Sequence, residues 1–246
     1  MFFRLLLAVG LVAAAGCSIK EDRSACLCHL TLELSRETVF PVGILVLSSD
    51  GPVVDTIIVK NSVCLDIPRK MLLITVSSGA RPGGKDGFII PEGGMCPEFL
   101  SWSGMVDARQ EEILCRPSLR KHYCSLTIKL KGSVPEGNPF SIRLKGNYCG
   151  INLFGRPLEG AFLCGVGTPE DMVRIPRQGD GSLILQIVKD REPVHDFAIG
   201  EALVASGYDW LKEDLEDRTV EVDYAMNTVS LIECQYAQGP QLTLIL

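Results

Sequence analysis

From Cys28 onward the chain alternates. Leu30, Leu32 and Leu34 fall on one side, and His29, Thr31, Glu33 and Ser35 fall on the other. That period of two marks a strand with one buried face. Further strand patterns fall at 43–47, 53–59, 63–67, 71–76 and 111–115, separated by turn chemistry at Ser49-Asp50-Gly51-Pro52 and 66–70. Residues 81–87 and 91–94, rich in Gly and Pro, read as loops. Cys115-Arg116-Pro117-Ser118 breaks the pattern, and at Tyr123 it restarts: Cys124, Leu126, Ile128 and Leu130 oppose Ser125, Thr127, Lys129 and Lys131. Strands follow at 140–145, 149–153, 172–175, 182–188, 219–225, 228–236 and 241–246. One helix fits, with Asp196 as N-cap, Phe197, Ile199, Ala202 and Leu203 as its apolar stripe and Gly207 as its left-handed stop. A second short turn is expected over 209–215. The chain is therefore mainly β: two tandem β-sandwich domains, 28–117 and 118–246, with one short helix in the second. A single large sandwich also accommodates the pattern.

The N-terminus follows another logic. Met1-Phe2-Phe3-Arg4, an apolar run from Leu5 to Val12 and the small residues up to Gly16 make residues 1–16 a signal peptide. The run is far shorter than the roughly 20 residues that span a bilayer. Cys17, directly after Ala14-Ala15-Gly16, resembles the lipobox cysteine that is lipidated and becomes the first mature residue. Acyl chains there contribute about 0.8 kcal/mol per buried CH2, and three of them make a permanent anchor. Residues 17–27 then form a lipidated linker. Within it Lys20-Glu21-Asp22 resembles the Lys-plus-acids signal that sends Bacteroidetes lipoproteins to the cell surface; a solvated charged linker accounts for the same residues.

Charge and cysteine content narrow the function. The net charge is −6, and removal of Arg4 with the signal peptide makes the mature chain one unit more negative. No basic run suits a phosphate backbone, so no nucleic acid is expected as partner. Of the ten cysteines, nine remain after Cys17 takes the lipid, an odd number that bridges cannot consume. One or two disulfides and several buried thiols are expected, Cys124 among the latter because it sits on an apolar face. No cysteine or histidine spacing fits a zinc site, so neither metal nor cofactor is expected.

No catalytic set is present either. His29, His122 and His195 are isolated, no nucleophile elbow or phosphate loop occurs, and Gly165-Val166-Gly167 lacks the third glycine of a dinucleotide site. A non-catalytic protein is expected. The acids Glu213, Asp214, Glu216, Asp217, Glu221 and Asp223 lack the calcium-loop pattern. Trp102, in Leu100-Ser101-Trp102-Ser103-Gly104, reads as a loop aromatic. It is either a ligand-contact residue or a plug at one end of a sandwich.

Two stretches carry a family resemblance. Cys17-Ser18-Ile19-Lys20-Glu21-Asp22-Arg23-Ser24-Ala25-Cys26 before the first strand resembles the start of the Bacteroidetes fimbrillin-associated anchor lipoproteins, the FimB-like family. Ile199-Gly200-Glu201, Ser206-Gly207-Tyr208-Asp209-Trp210, Asp214-Leu215-Glu216-Asp217 and Val222-Asp223-Tyr224-Ala225 resemble that family's C-terminal signature. The resemblance implies transthyretin-like sandwiches and a lipid-anchored place in the outer membrane, facing the cell exterior. It further implies a role as anchor or accessory subunit of a type V pilus, with a fimbrillin or other pilus subunit as partner. The alternative is a free-standing surface lipoprotein that binds glycan or host protein. Family members often end in a Trp-containing strand; this chain ends in 241–246, where Leu242, Leu244 and Leu246 alternate behind Gly239-Pro240. That segment either donates a strand to a partner or closes the edge of its own sandwich.

Cys17→Ser is expected to move the protein from the membrane to the soluble fraction with the fold unchanged. Cell fractionation with intact-mass measurement checks this; a variant still in the membrane with unaltered mass excludes the lipid at Cys17.

Overall fold

The computed structural model describes residues 26–131, 140–166, 172–223, 228–232 and 243–245. They form eighteen strands and one α-helix among the described residues. The first half carries β1 (Leu27–Glu33), β2 (Val42–Ser48), β3 (Gly51–Ile58), β4 (Ser62–Pro68), β5 (Met71–Ser78), β6 (Phe88–Ile89), β7 (Leu100–Asp107), β8 (Glu112–Cys115) and β9 (Arg120–Lys121). The second carries β10 (Tyr123–Lys131), β11 (Phe140–Ile151), β12 (Pro157–Val166), β13 (Met172–Pro176), β14 (Ile184–Lys189) and β15 (Glu192–Phe197). Helix α1 (Ile199–Ala205), β16 (Arg218–Asp223), β17 (Thr228–Ile232) and β18 (Thr243–Ile245) complete it.

The sheets pair into two sandwiches with one topology. In the first, β4-β1-β8 faces β3-β2-β5-β7-β9; in the second, β13-β10-β16-β17-β18 faces β12-β11-β14-β15. Each begins with a strand held between an antiparallel and a parallel neighbour: β1 between β4 and β8, β10 between β13 and β16. The order β3-β2-β5-β7 then recurs as β12-β11-β14-β15. The alternation read from the sequence explains why these strands sit centrally. Leu30 and Leu32 are fully buried with Ile44, Ile74 and Val76 in one core, and Leu126 and Ile128 with Leu144, Leu185 and Phe197 in the other. Burial of each such side chain contributes about 1.5–3 kcal/mol.

Relative to a division at 117/118, two pieces of chain cross over. β9 extends the first sandwich by pairing with β7. β6 pairs with β11 in the second, and Phe88, Ile90, Cys96 and Phe99 belong to the second core.

Several expectations need correction. Asp196 does not cap the helix; it lies on β15 and accepts a bond from Gln186 Nε2 at 2.9 Å, and Ala198 holds the N-cap position without a side-chain bond. Gly207, with φ of 86°, does end the helix. The short turn expected over 209–215 is present, as a turn at 210–211 followed by a bend through 214. The segments 140–145 and 149–153 lie on one strand, β11, through Ile151. Cys26, Cys28, Cys64, Cys96, Cys115, Cys124, Cys149 and Cys164 are all free thiols, so no expected disulfide occurs among the described residues. Burial pushes the Cys96 thiol up to about 12 and Cys124 to about 11, which removes thiolate reactivity.

Candidate functional site

The sequence candidates do not converge on one place. Cys17, Lys20, Glu21 and Asp22 lie outside the described residues, as do Leu242 and Leu246. Leu244 lies on β18, whose backbone pairs antiparallel with β17, with Leu244 opposite Val229. Three residue pairs make up that ladder, Thr228 with Ile245, Val229 with Leu244 and Ser230 with Thr243. The chain's last strand is thus an edge of its own second sandwich in this structure, held by a short ladder.

Trp102 is not in a loop. It occupies the middle of β7 opposite Val76, half-buried against the first core. Its ring lies over Gly104, where an added Cβ would come within 2.6 Å of Cζ2. The glycine leaves the indole room to lie along the sheet.

The signature residues near the C-terminus build a joint between the sandwiches. Asp214 Oδ1 accepts the Lys121 backbone N–H at 2.7 Å, and its other oxygen lies 3.4 Å from Arg120 Nη1. Asp217 takes both Lys121 Nζ, at 2.6 Å, and the Ser125 N–H, at 2.7 Å. Burial opposes its charge, but these bonds win and hold its carboxyl below the usual range. Tyr208 packs edge-on to Trp210 at 4.7 Å, and its hydroxyl donates to the Glu216 carbonyl at 2.8 Å. The remaining acids are also paired: Glu213 with Arg120 at 2.7 Å, Glu216 with Lys212 and Arg218, and Glu221 and Asp223 with Lys131 at 3.9 Å. Among the described residues no group of three or more His, Cys, Asp or Glu side chains is placed to hold a metal.

Sequence reading missed the centre of this joint. Arg177, 3% exposed, donates to the carbonyls of Trp210 at 2.5 Å, Lys212 at 2.6 Å, Glu213 at 3.0 Å and Lys121 at 3.4 Å. A planar guanidinium suits such a fan of acceptors. Gln178 beside it is fully buried and bonds the carbonyls of Pro176 and Tyr148 at 2.9 and 3.3 Å. His122 is buried with its ring stacked on Phe99 at 5.9 Å. Only the dipeptide Arg177-Gln178 after a strand hints at this arrangement, and surface polar residues read identically.

What emerges is a fold of two interleaved β-sandwiches, and solved structures share it. The chain is similar to a candidate polysaccharide-binding protein of Bacteroides thetaiotaomicron, with 10% identity, 85% of this chain and 99% of that one covered, and a TM-score of 0.59. It is similar to a candidate adhesin of Bacteroides ovatus, with 10% identity, coverage of 85% and 95%, and a TM-score of 0.58. The fimbrial anchor protein Mfa2 of Porphyromonas gingivalis matches with 10% identity over 90% of this chain and 98% of its own, with a TM-score of 0.57. No protein-family model and no curated protein matches the sequence. The fold is therefore that of Bacteroidetes fimbrial anchor and adhesin proteins.

His122 gives the joint a pH dependence. Burial, helped by the Arg177 charge, pulls its pKa down to about 4, against a hydrogen bond to the Ser101 backbone and the nearby Asp214. Because the folded value lies below the unfolded one of about 6.5, the unfolded chain binds more protons in between. Stability is then full above about pH 6.5 and falls toward pH 4, by about 3 kcal/mol at most. Chemical denaturation at pH 7.5, 6 and 4.5 measures the slope. His122→Phe, which keeps the ring contact with Phe99, is expected to flatten it between pH 6.5 and 4.5.

Proposed function

We propose that the protein is a non-catalytic anchor or accessory subunit of a fimbrium, held in the outer membrane by lipid at Cys17 and facing the cell exterior. The observation that carries this reading is the likeness to the fimbrial anchor protein Mfa2, which extends through both sandwiches and nearly the whole of that chain. The lipobox-like Cys17 and the charged residues Lys20-Glu21-Asp22 behind it support attachment by the N-terminus. Among the described residues no helix is long and apolar enough to cross a membrane.

Partner contact is assigned to the C-terminal strand containing Leu242, Leu244 and Leu246. A strand added to a sheet edge gains affinity from backbone hydrogen bonds and specificity from alternate side chains. The three-pair ladder between β17 and β18 is a small number of bonds to exchange. A β1 already paired on both sides by β4 and β8 leaves the first sandwich without a vacant strand position beside it.

A second reading, a free-standing surface lipoprotein that binds glycan or host protein, draws on the likeness to the candidate polysaccharide-binding protein. The packing of Trp102 over Gly104 counts against that side chain as the sugar contact.

Deletion of residues 241–246 is the test. The shortened lipoprotein is expected to remain folded and membrane-bound while fimbriae are shed from the cells into the medium. Circular dichroism and quantitation of shed fimbriae read the two halves of that outcome. Unfolding of the second sandwich would instead make the strand an indispensable part of its own sheet. Full retention of fimbriae on the folded variant would remove it from the partner contact.

A further inference from the structure

We infer that the two sandwiches are a single cooperative and mechanical unit, locked by a strap of the first half that is built into the second. The inference concerns the chain itself and does not depend on what it binds. The chain passes between sandwiches three times: out at Gly87, back at Leu100 and out again after Lys121. A tandem pair joined by one linker would cross once.

The strap, residues 87–99, is bonded along its length to the second sandwich. Phe88 and Ile89 pair with Ile151 and Gly150 on β11. The Ile90 N–H donates to the Cys149 carbonyl at 2.8 Å, and the Gly93 N–H to the Leu163 carbonyl at 2.8 Å. The Cys96 N–H donates to the Arg174 carbonyl at 3.1 Å, and Arg174 Nε returns a bond to the Cys96 carbonyl at 3.0 Å. Phe88, Ile90, Cys96 and Phe99 are each 5% exposed or less, inside the second core. The second sandwich therefore has a hole in its core without residues that precede β7.

Glycines let the backbones approach closely enough. An added Cβ at Gly150 would lie 1.9 Å from the Phe88 carbonyl oxygen, and one at Gly87 would lie 2.4 Å from that of Ile151. At the other end of the strap, a Cβ on Gly79, where β5 ends, would lie 1.9 Å from the Glu98 carbonyl oxygen. Real side chains do not tolerate such distances, so each glycine marks backbone against backbone. The third crossing is fixed as well. Lys121 pairs with Leu100 on β7 while Asp214, Leu215, Asp217 and Arg177 of the second sandwich hold its backbone and side chain.

Interleaving on this scale predicts that neither sandwich opens without the other. Tension between the two chain ends would then be shared by three crossings rather than borne by one linker. The two tryptophans provide the probes, because Trp102 belongs to the first core and Trp210 to the second. In the full-length lipid-free chain, Trp210→Phe leaves a reporter of the first sandwich and Trp102→Phe a reporter of the second. Urea unfolding followed by fluorescence is expected to give coincident midpoints. Leu30→Ala, fully inside the first core, is expected to lower both midpoints equally. Separate midpoints, or a Leu30→Ala shift seen only by Trp102, overturn the inference. If the single-tryptophan variants fail to fold, hydrogen exchange on the intact chain decides. The slowest amides of β1 and of β10 are expected to share one opening equilibrium, and a tenfold or greater difference between them would refute the coupling.

Discussion

The contact that the architecture turns on is the meeting of two backbones at Gly150. There the Phe88 carbonyl oxygen lies 1.9 Å from where any larger residue would place its Cβ. This closeness allows a two-residue strand from the first half to join the second half's sheet, beyond the point where β14 leaves β11. Once seated, the strap delivers two phenylalanines and an isoleucine to a core that the second half alone leaves incomplete. The polar joint around Arg177 then closes over the last crossing, its two terminal nitrogens donating to carbonyls of the 210–213 turn and Lys121 while its Nε is left without a partner. Burying that charge is costly unless its bonds are made, which explains why the C-terminal signature residues are so closely placed.

The repeated topology shows what is common to the sandwiches and what is not. Both build a first strand between an antiparallel and a parallel neighbour, and both face it with a four-strand meander-like order. The additions are unequal: β9 on the first, β6, β17 and β18 on the second. Three of the four additions serve joints or edges. β6 and β9 make the crossings, and β18 is the outermost strand. The duplicated core thus supplies stability, and its differences define where the chain meets itself or a partner.

How much of this the sequence revealed depended on hydrophobic contrast. β1 and β10 were plain because their buried faces carry Leu, Ile and Cys while their other faces carry Thr, Lys and Glu. β7 was hidden because Ser101, Ser103 and Gly104 surround Trp102, and Ser101 is buried despite its polarity. β11 looked like two strands because Lys145-Gly146-Asn147 interrupts its apolar run. Gly146 gives room to Gln178 Oε1, and the pairing with β12 shifts register between Gly146 and Tyr148. β12 and β15 went unread, and their internal Gly160 and Pro193 are residues that weaken a strand pattern. Of the strap, only Gly87 and 91–94 were legible as loop, and nothing local says which core receives its aromatics. Arg177 gave no signal, since burial is a tertiary property. The signature around Tyr208, Trp210, Asp214 and Asp217 was legible as a resemblance, and its physical content is the grip on Lys121 and Ser125.

In the proposed role, this fold serves a fimbrium by geometry rather than by chemistry: a lipid at Cys17 would tie one end to the membrane, β18 presents a strand edge, and an interleaved body connects them. Cross-linking in intact cells followed by mass spectrometry of outer-membrane fractions tests that account most directly. The account predicts cross-links from the second sandwich, near β17 and β18, to a fimbrial subunit. Fractions in which the protein cross-links only to itself, while fimbriae are present on the same cells, would contradict it.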